Sequence, residues 1–124
     1  MQILLIVFIG GGLGSLCRFL MSKWISTLFV SPFPLGTFLV NVVGCFLIGF
    51  LVFFTERFGA NALNWRLFLV TGFCGGFTTF STFSLENVQL MGSSQLLINL
   101  GYTLASIIVG FLATYLGIVL ARSM

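Results

Sequence analysis

Histidine and aspartate are absent from this 124-residue chain, and charge of either sign is scarce. Five cations (Arg18, Lys23, Arg57, Arg66 and Arg122) and two anions (Glu56 and Glu86) are its whole complement of charged side chains. Without His and Asp there is no Ser-His-Asp triad, no imidazole metal site and no aspartyl-phosphate intermediate. The two glutamates stand 30 positions apart, which leaves no compact carboxylate cluster. The net charge of +3 is spread thinly, with no basic run of the kind that tracks nucleic acid. Neither an enzyme nor a nucleic-acid binder is expected.

A soluble domain is about one quarter charged. Here the charged fraction is 6%, against 59% hydrophobic residues. A globule of that composition has almost nothing polar to present to water, so the solvent is lipid. The three cysteines, Cys17, Cys45 and Cys74, lie inside apolar stretches and read as reduced thiols acting as small hydrophobes.

What the chain does have is long apolar runs. A bilayer core takes about 20 mostly apolar residues per helix, and the few charges divide the sequence into four such runs. The expected fold is an all-α membrane protein of four transmembrane helices. They lie at roughly 3–21, 36–55, 67–91 and 96–121, with the third broken near 75–79, and residues 1–124 form one domain. Pro32 and Pro34 fall in the first connector, where a missing N–H is harmless. The first run has only Gln2 ahead of it and its arginine behind it, so it reads as a retained helix and not a signal peptide.

Positive charge in short loops sets membrane orientation. With four crossings, one side carries Arg57, Arg66 and Arg122 and the other Arg18 and Lys23. Two readings stay open: one extra arginine suffices, or the chain inserts both ways and pairs as an antiparallel dual-topology homodimer. Four helices enclose little interior, which favours a second copy. Small residues at Gly10 and Gly14, and at Ser106, Gly110 and Thr114, form ridges suited to close helix packing in lipid.

The third run holds the densest polar chemistry. Residues 71–84 read TGFCGGFTTFSTFS, with three Gly, six Ser or Thr and four Phe. Glycine costs backbone entropy in a helix, and threonine's hydroxyl competes for backbone bonds. A broken helix follows, and unpaired backbone at membrane depth is tolerated only where protein or a wet cavity satisfies it. The run lacks the Gly-Lys-Ser/Thr ending of a phosphate-binding loop. Phe80 and Phe83 share a helical face, with Ser81 and Ser84 on an adjoining one. Ring edges carry the positive part of the aromatic quadrupole, so in a narrow dry passage they can stabilise a small anion.

Elsewhere, Asn41 is the one strongly polar side chain in the second run, with Thr37 four positions earlier on the same face. It either bonds across to another helix or donates to an anion. Tyr102 and Ser106 are again four apart and can line the same interior. Arg18 either snorkels to the interface or lends a vestibule positive potential. Glu86 is expected near a pore mouth or a hydroxyl partner.

The run from Gly72 to Glu86, together with GGGLGSLCR ending at Arg18 and PLGTFLVN ending at Asn41, resembles the Fluc/CrcB fluoride-channel family. The resemblance spans the chain and is weakest over the last helix, where Tyr102 and Ser106 lie. It implies a passive, fluoride-selective channel of the bacterial inner membrane, built as an antiparallel homodimer with two pores. It also implies that Phe80 and Phe83 present ring edges to fluoride and that Asn41 donates to the ion. Arg18 is similar to the family's vestibule arginine, and Glu86 to a glutamate near the pore. Gly75 and Thr78 match positions whose backbone carbonyls, from both copies, hold a central structural Na⁺. The expected partners are thus fluoride, membrane lipid and a second copy.

Two other readings compete with this one. A proton-coupled exporter of cationic compounds needs a carboxylate at the midplane, whereas Glu56 sits in a connector and Glu86 comes late in its span. A non-transporting membrane assembly protein would leave the hydroxyl-and-Phe run without a purpose.

Overall fold

The computed structural model describes residues 1–124 as helices joined by short turns, with no β-strand. Helix α1 (Gln2–Leu28) runs past Arg18 and Lys23, seven residues beyond the expected end at Met21. Two isolated cations do not stop a helix whose other positions are apolar. The first proline-bearing connector does stop it, and α2 (Leu35–Phe54) begins directly after Pro34. A 3₁₀ segment, Thr55–Asn61, follows, and within it Gly59 takes φ 54°, ψ −123°. That conformation is open to glycine and strained for other residues, so the chain turns back there.

Helix α3 spans residues 62–77. Its first turn (Ala62–Arg66) is α-helical, Leu67–Cys74 is π-helical, and Gly75–Phe77 is α-helical again. Only Thr78 and Thr79 are extended, with φ/ψ of −81°/157° and −148°/116°. Helix α4 (Phe80–Gly92) resumes at once, and a turn with Ser94 at φ 60° leads into α5 (Leu96–Ser123). The break is therefore narrower than the expected 75–79. Gly75 and Gly76 stay helical, and the two threonines carry the interruption.

Three helical runs are long and apolar enough to cross a membrane: Gln2–Leu28, Leu35–Gly92 and Leu96–Ser123. The middle run is 58 residues long and bent, holding both the Gly59 reversal and the Thr78–Thr79 break. This is a multi-pass membrane protein, and most of its large hydrophobic side chains face outward.

Helix packing rests on backbone contact. A Cβ added to Gly10 would strike the Phe68 carbonyl oxygen, and one on Gly14 the Phe73 carbonyl oxygen, so α1 lies directly on α3. A Cβ on Gly49 would strike the Thr114 carbonyl oxygen and one on Gly117 the Phe46 carbonyl oxygen, so α2 lies equally close to α5. The ridge on the last helix thus extends one turn beyond Thr114. Six rings, Phe46, Phe50, Phe54, Phe58, Trp65 and Phe68, follow one another at 5.1–6.4 Å from α2 through the turn into α3. Arg57 Nη2 donates to the Ala121 carbonyl at 3.1 Å, tying that turn to the last turn of α5.

Candidate functional site

The site is organised by the break between α3 and α4. In an uninterrupted helix the Thr79 N–H would bond the Gly75 carbonyl, and the Thr82 N–H the Thr78 carbonyl. Both donors point elsewhere. Thr79 N–H donates to Asn41 Oδ1 at 2.8 Å, and Thr82 N–H to Thr79 Oγ1 at 3.2 Å. Thr79 is thus the N-cap of α4, a role for which threonine is well suited. The diverted donors leave the Gly75 and Thr78 carbonyls without their helical partners. Gly75 is also exposed on the chain's surface.

Asn41 repairs one side of the break. Its Nδ2 donates to the Thr79 carbonyl at 3.1 Å while its Oδ1 accepts from the Thr79 N–H. One amide therefore pairs with one backbone unit in both directions, bridging α2 to the α3–α4 junction. Of the two sequence alternatives, the bond across to another helix is present. An amide nitrogen carries two hydrogens, and the second one has no partner in the chain.

A groove of about 380 Å³ opens beside this pair and is lined by Asn41, Thr78, Thr79, Phe80, Phe83 and Ser106, among others. Ser106 Oγ is buried without any hydrogen-bond partner. The rings of Phe80 and Phe83 lie 5.8 Å apart at 39°. Phe80 is 79% exposed, so the ring stands on the outer wall of the chain and not inside it. No ionisable residue other than the Cys45 thiol lines the groove.

Behind the break, Glu86 is held by two hydroxyls: Thr37 Oγ1 donates to Oε1 and Tyr102 OH to Oε2, each at 2.7 Å. Tyr102 is fully buried, and its ring lies 5.1 Å from that of Phe83 and 5.3 Å from that of Phe33. The expected hydroxyl partner of Glu86 is thus present twice over. Arg18 faces a separate cavity of about 210 Å³ with Ser15, Ser22, Thr37, Thr79 and Thr82. No acidic group lines that cavity, so the guanidinium makes it electropositive.

The structure therefore gathers Asn41, Thr78, Phe80, Phe83 and Ser106 around one groove, and Thr37, Glu86 and Tyr102 into one cluster. Tyr102 and Ser106 point to different surroundings despite their shared spacing. The seryl pair is set apart: Ser81 is exposed, 3.3 Å from Thr79 Oγ1, and Ser84 is half-buried on α4. Thr79 borders both the groove and the Arg18 cavity, so the two spaces meet at a threonine.

Sequence reasoning missed three polar residues. Asn99 Nδ2 donates to the Asn87 carbonyl (2.9 Å) and to Asn87 Oδ1 (2.8 Å), and Thr103 Oγ1 donates to the same Oδ1 at 2.6 Å. The signal was present: an amide at membrane depth needs partners, and Asn99 and Thr103 are four apart on one face.

A model of the family described as CrcB-like protein, Camphor Resistance (CrcB), matches residues 5–118. The chain is 46% identical over 121 residues to the fluoride-specific ion channel FluC of Gloeothece citriformis, covering 96% of both chains. It is 40% identical over 124 residues to the protein of that name from Flavobacterium psychrophilum, covering 100% of each. The Hydrogenobaculum protein of that name is 47% identical over 114 residues, covering 91% of this chain and 92% of its own. With the family match over nearly the whole chain and identity of this order end to end, the chain belongs to the CrcB family.

Proposed function

We propose that this protein is a passive fluoride-selective channel of the bacterial inner membrane. The observation that carries the reading is the groove at the helix break. An unclaimed amide hydrogen, an unpartnered buried hydroxyl and two phenylalanine rings converge there without a formal charge. Weak neutral donors in series can replace an anion's hydration and still release it. The full-length likeness to proteins named fluoride-specific ion channels supplies the identity of the anion. Neutral hydrogen fluoride crosses lipid and dissociates inside. A negative-inside potential then drives fluoride outward at about 2.3 kcal/mol per charge per 100 mV.

The working form is a dual-topology antiparallel homodimer with two pores, each chain crossing four times. A straight helix of 58 residues would run about 87 Å at 1.5 Å per residue, far more than a bilayer's hydrocarbon thickness. The Gly59 reversal supports reading it as two crossings. A half-finished wall supports the second copy: Phe80 and the Gly75 backbone are exposed at membrane depth, where an unsatisfied carbonyl costs several kcal/mol. The Gly75 and Thr78 carbonyls also fit a structural Na⁺ shared between two copies. They are neutral, hard oxygen donors that lack their helical partners. Bound there, Na⁺ would neutralise orphaned dipoles and pin the two breaks together.

Asn41, Phe80, Phe83 and Ser106 line the path, and Thr37, Tyr102 and Glu86 continue it. Arg18 concentrates anions in its cavity. Ser81 and Ser84, beside the Phe pair on α4, belong to the same path. The chain has no carboxylate free of hydroxyl partners within its apolar helices, which disfavours proton-coupled cation export. The test is efflux from liposomes holding purified protein, read with fluoride and chloride electrodes. Rapid fluoride release with chloride retained is expected. Equal release of both ions, or of neither, overturns the reading.

A further inference from the structure

Helix α4 is placed differently from every other helix. The α1–α3 and α2–α5 seams are set by glycines whose added Cβ would collide with backbone of the opposing helix. Between α4 and α5 no such contact exists. Gly92 of α4 and Gly101 of α5 meet nothing within 4 Å. Nor does the backbone ladder hold α4 in line with α3, because the ladder stops at Thr78–Thr79. Beyond the short Ser93–Gln95 turn, where the Gln95 N–H donates to the Leu90 carbonyl at 3.3 Å, its axial position rests on side-chain contacts with α5.

Asn87 is the node of that polar seam. Its Oδ1 accepts from Asn99 Nδ2 and Thr103 Oγ1, its carbonyl accepts a second bond from Asn99, and its Nδ2 donates to the Phe83 carbonyl at 2.8 Å. The amide oxygen thus takes two donors from α5. The residue is one position from Glu86 and one turn from Phe83, the two α4 side chains that meet Tyr102. If α4 shifts along α5, the Glu86 carboxylate leaves Tyr102 and the Phe83 ring leaves both Tyr102 and the groove.

We propose that Asn87, clamped by Asn99 and Thr103, is a positioning residue for anion passage: it fixes the register of α4 on α5 and so the placement of Phe83 and Glu86. This rests on the channel reading above and assigns to Asn87, Asn99 and Thr103 a part in it beyond holding the fold.

A merely structural bond and a positioning bond differ in what their loss does to each working molecule. An interhelical hydrogen bond in a membrane is worth on average a factor of about three in equilibrium terms. Losing one therefore leaves most molecules folded. The experiment is single-channel recording of fluoride current in planar bilayers for the wild type, Asn87→Leu, Thr103→Val and Thr103→Ser. The expected result is a unitary current at least about threefold lower for Asn87→Leu. Thr103→Val should fall between Asn87→Leu and the wild type, and Thr103→Ser, which keeps the donor, should match the wild type. If Asn87→Leu does not assemble, the Thr103 pair carries the comparison alone. Wild-type unitary current in Asn87→Leu or Thr103→Val, with only fewer active channels, overturns the positioning role. A wild type that passes no fluoride would instead overturn the channel reading, so the two failures are separable.

Discussion

At the scale of single residues, Asn41 does two jobs with one amide. It stands in for the missing helical partner of Thr79, and it keeps one N–H for whatever enters the groove. Substitution by aspartate retains the acceptor for the Thr79 N–H, sets a carboxylate oxygen against the Thr79 carbonyl, and brings a negative charge to the path. Two like charges at 4 Å repel by about 4 kcal/mol at an effective dielectric near 20, roughly a thousandfold in occupancy. Asn41→Asp should therefore abolish fluoride efflux from liposomes while the purified protein keeps the wild-type size-exclusion profile. A freely conducting Asp variant would place Asn41 outside the path. The role of Asn41 was half legible in the sequence. A lone amide in an apolar helix must find partners, but Thr79 lies 38 positions away, and no spacing rule links the two. Asn87 and Asn99 were overlooked because they pair with each other across two helices, which no spacing within one helix reveals.

At the scale of elements, the break was legible and its width was not. The glycines suggested an interruption at 75–79, yet both stay helical, and Gly76 serves contact with α1. A Cβ on Gly76 would collide with the Gly11 carbonyl oxygen. The threonines, by capping α4, do the interrupting. The π-helical stretch Leu67–Cys74 left no mark in the sequence, because its wider turns are a response to packing and not a residue preference. Close packing itself gives a sharp test. In Gly49→Ala the new methyl would collide with the Thr114 carbonyl oxygen, so α2 and α5 must part. Such overpacking costs typically 1–3 kcal/mol, roughly. Gly12→Ala meets nothing within 4 Å and should be neutral or gain up to about 1 kcal/mol of helix propensity. Thermal unfolding in detergent should place Gly49→Ala below the wild type and Gly12→Ala level with it or above.

At the scale of the whole molecule, composition alone established a helical protein of the bilayer, and nearly every large apolar side chain on the outer surface agrees. The pairing of copies is a different kind of question, since one sequence describes both. With Arg57, Arg66 and Arg122 set against Arg18 and Lys23, orientation is poorly specified. Single cysteines at Trp24 and Trp65, placed in a cysteine-free background, should crosslink between copies as a Trp24–Trp65 pair when the copies are antiparallel. Crosslinks only between identical positions would mean a parallel dimer and would rule out the proposed shared Na⁺ site. Adding two lysines to the 57–61 turn should bias insertion and lower flux, and co-expression with a chain biased the other way should restore it.

The seam between α2 and α5 also bears on how the protein is made. Its halves, Gly49 and Thr114, are separated by most of the second half of the chain. Ribosomes add about 5–20 residues per second, so α2 is complete several seconds before its partner helix exists. Throughout that interval the glycine face of α2 is covered by lipid, by insertion machinery or by another copy, and not by its own chain. Arg57 waits just as long for its partner, because the carbonyl it binds belongs to Ala121, 64 positions later. Helix α5, made well after α2, is therefore the one that closes this seam.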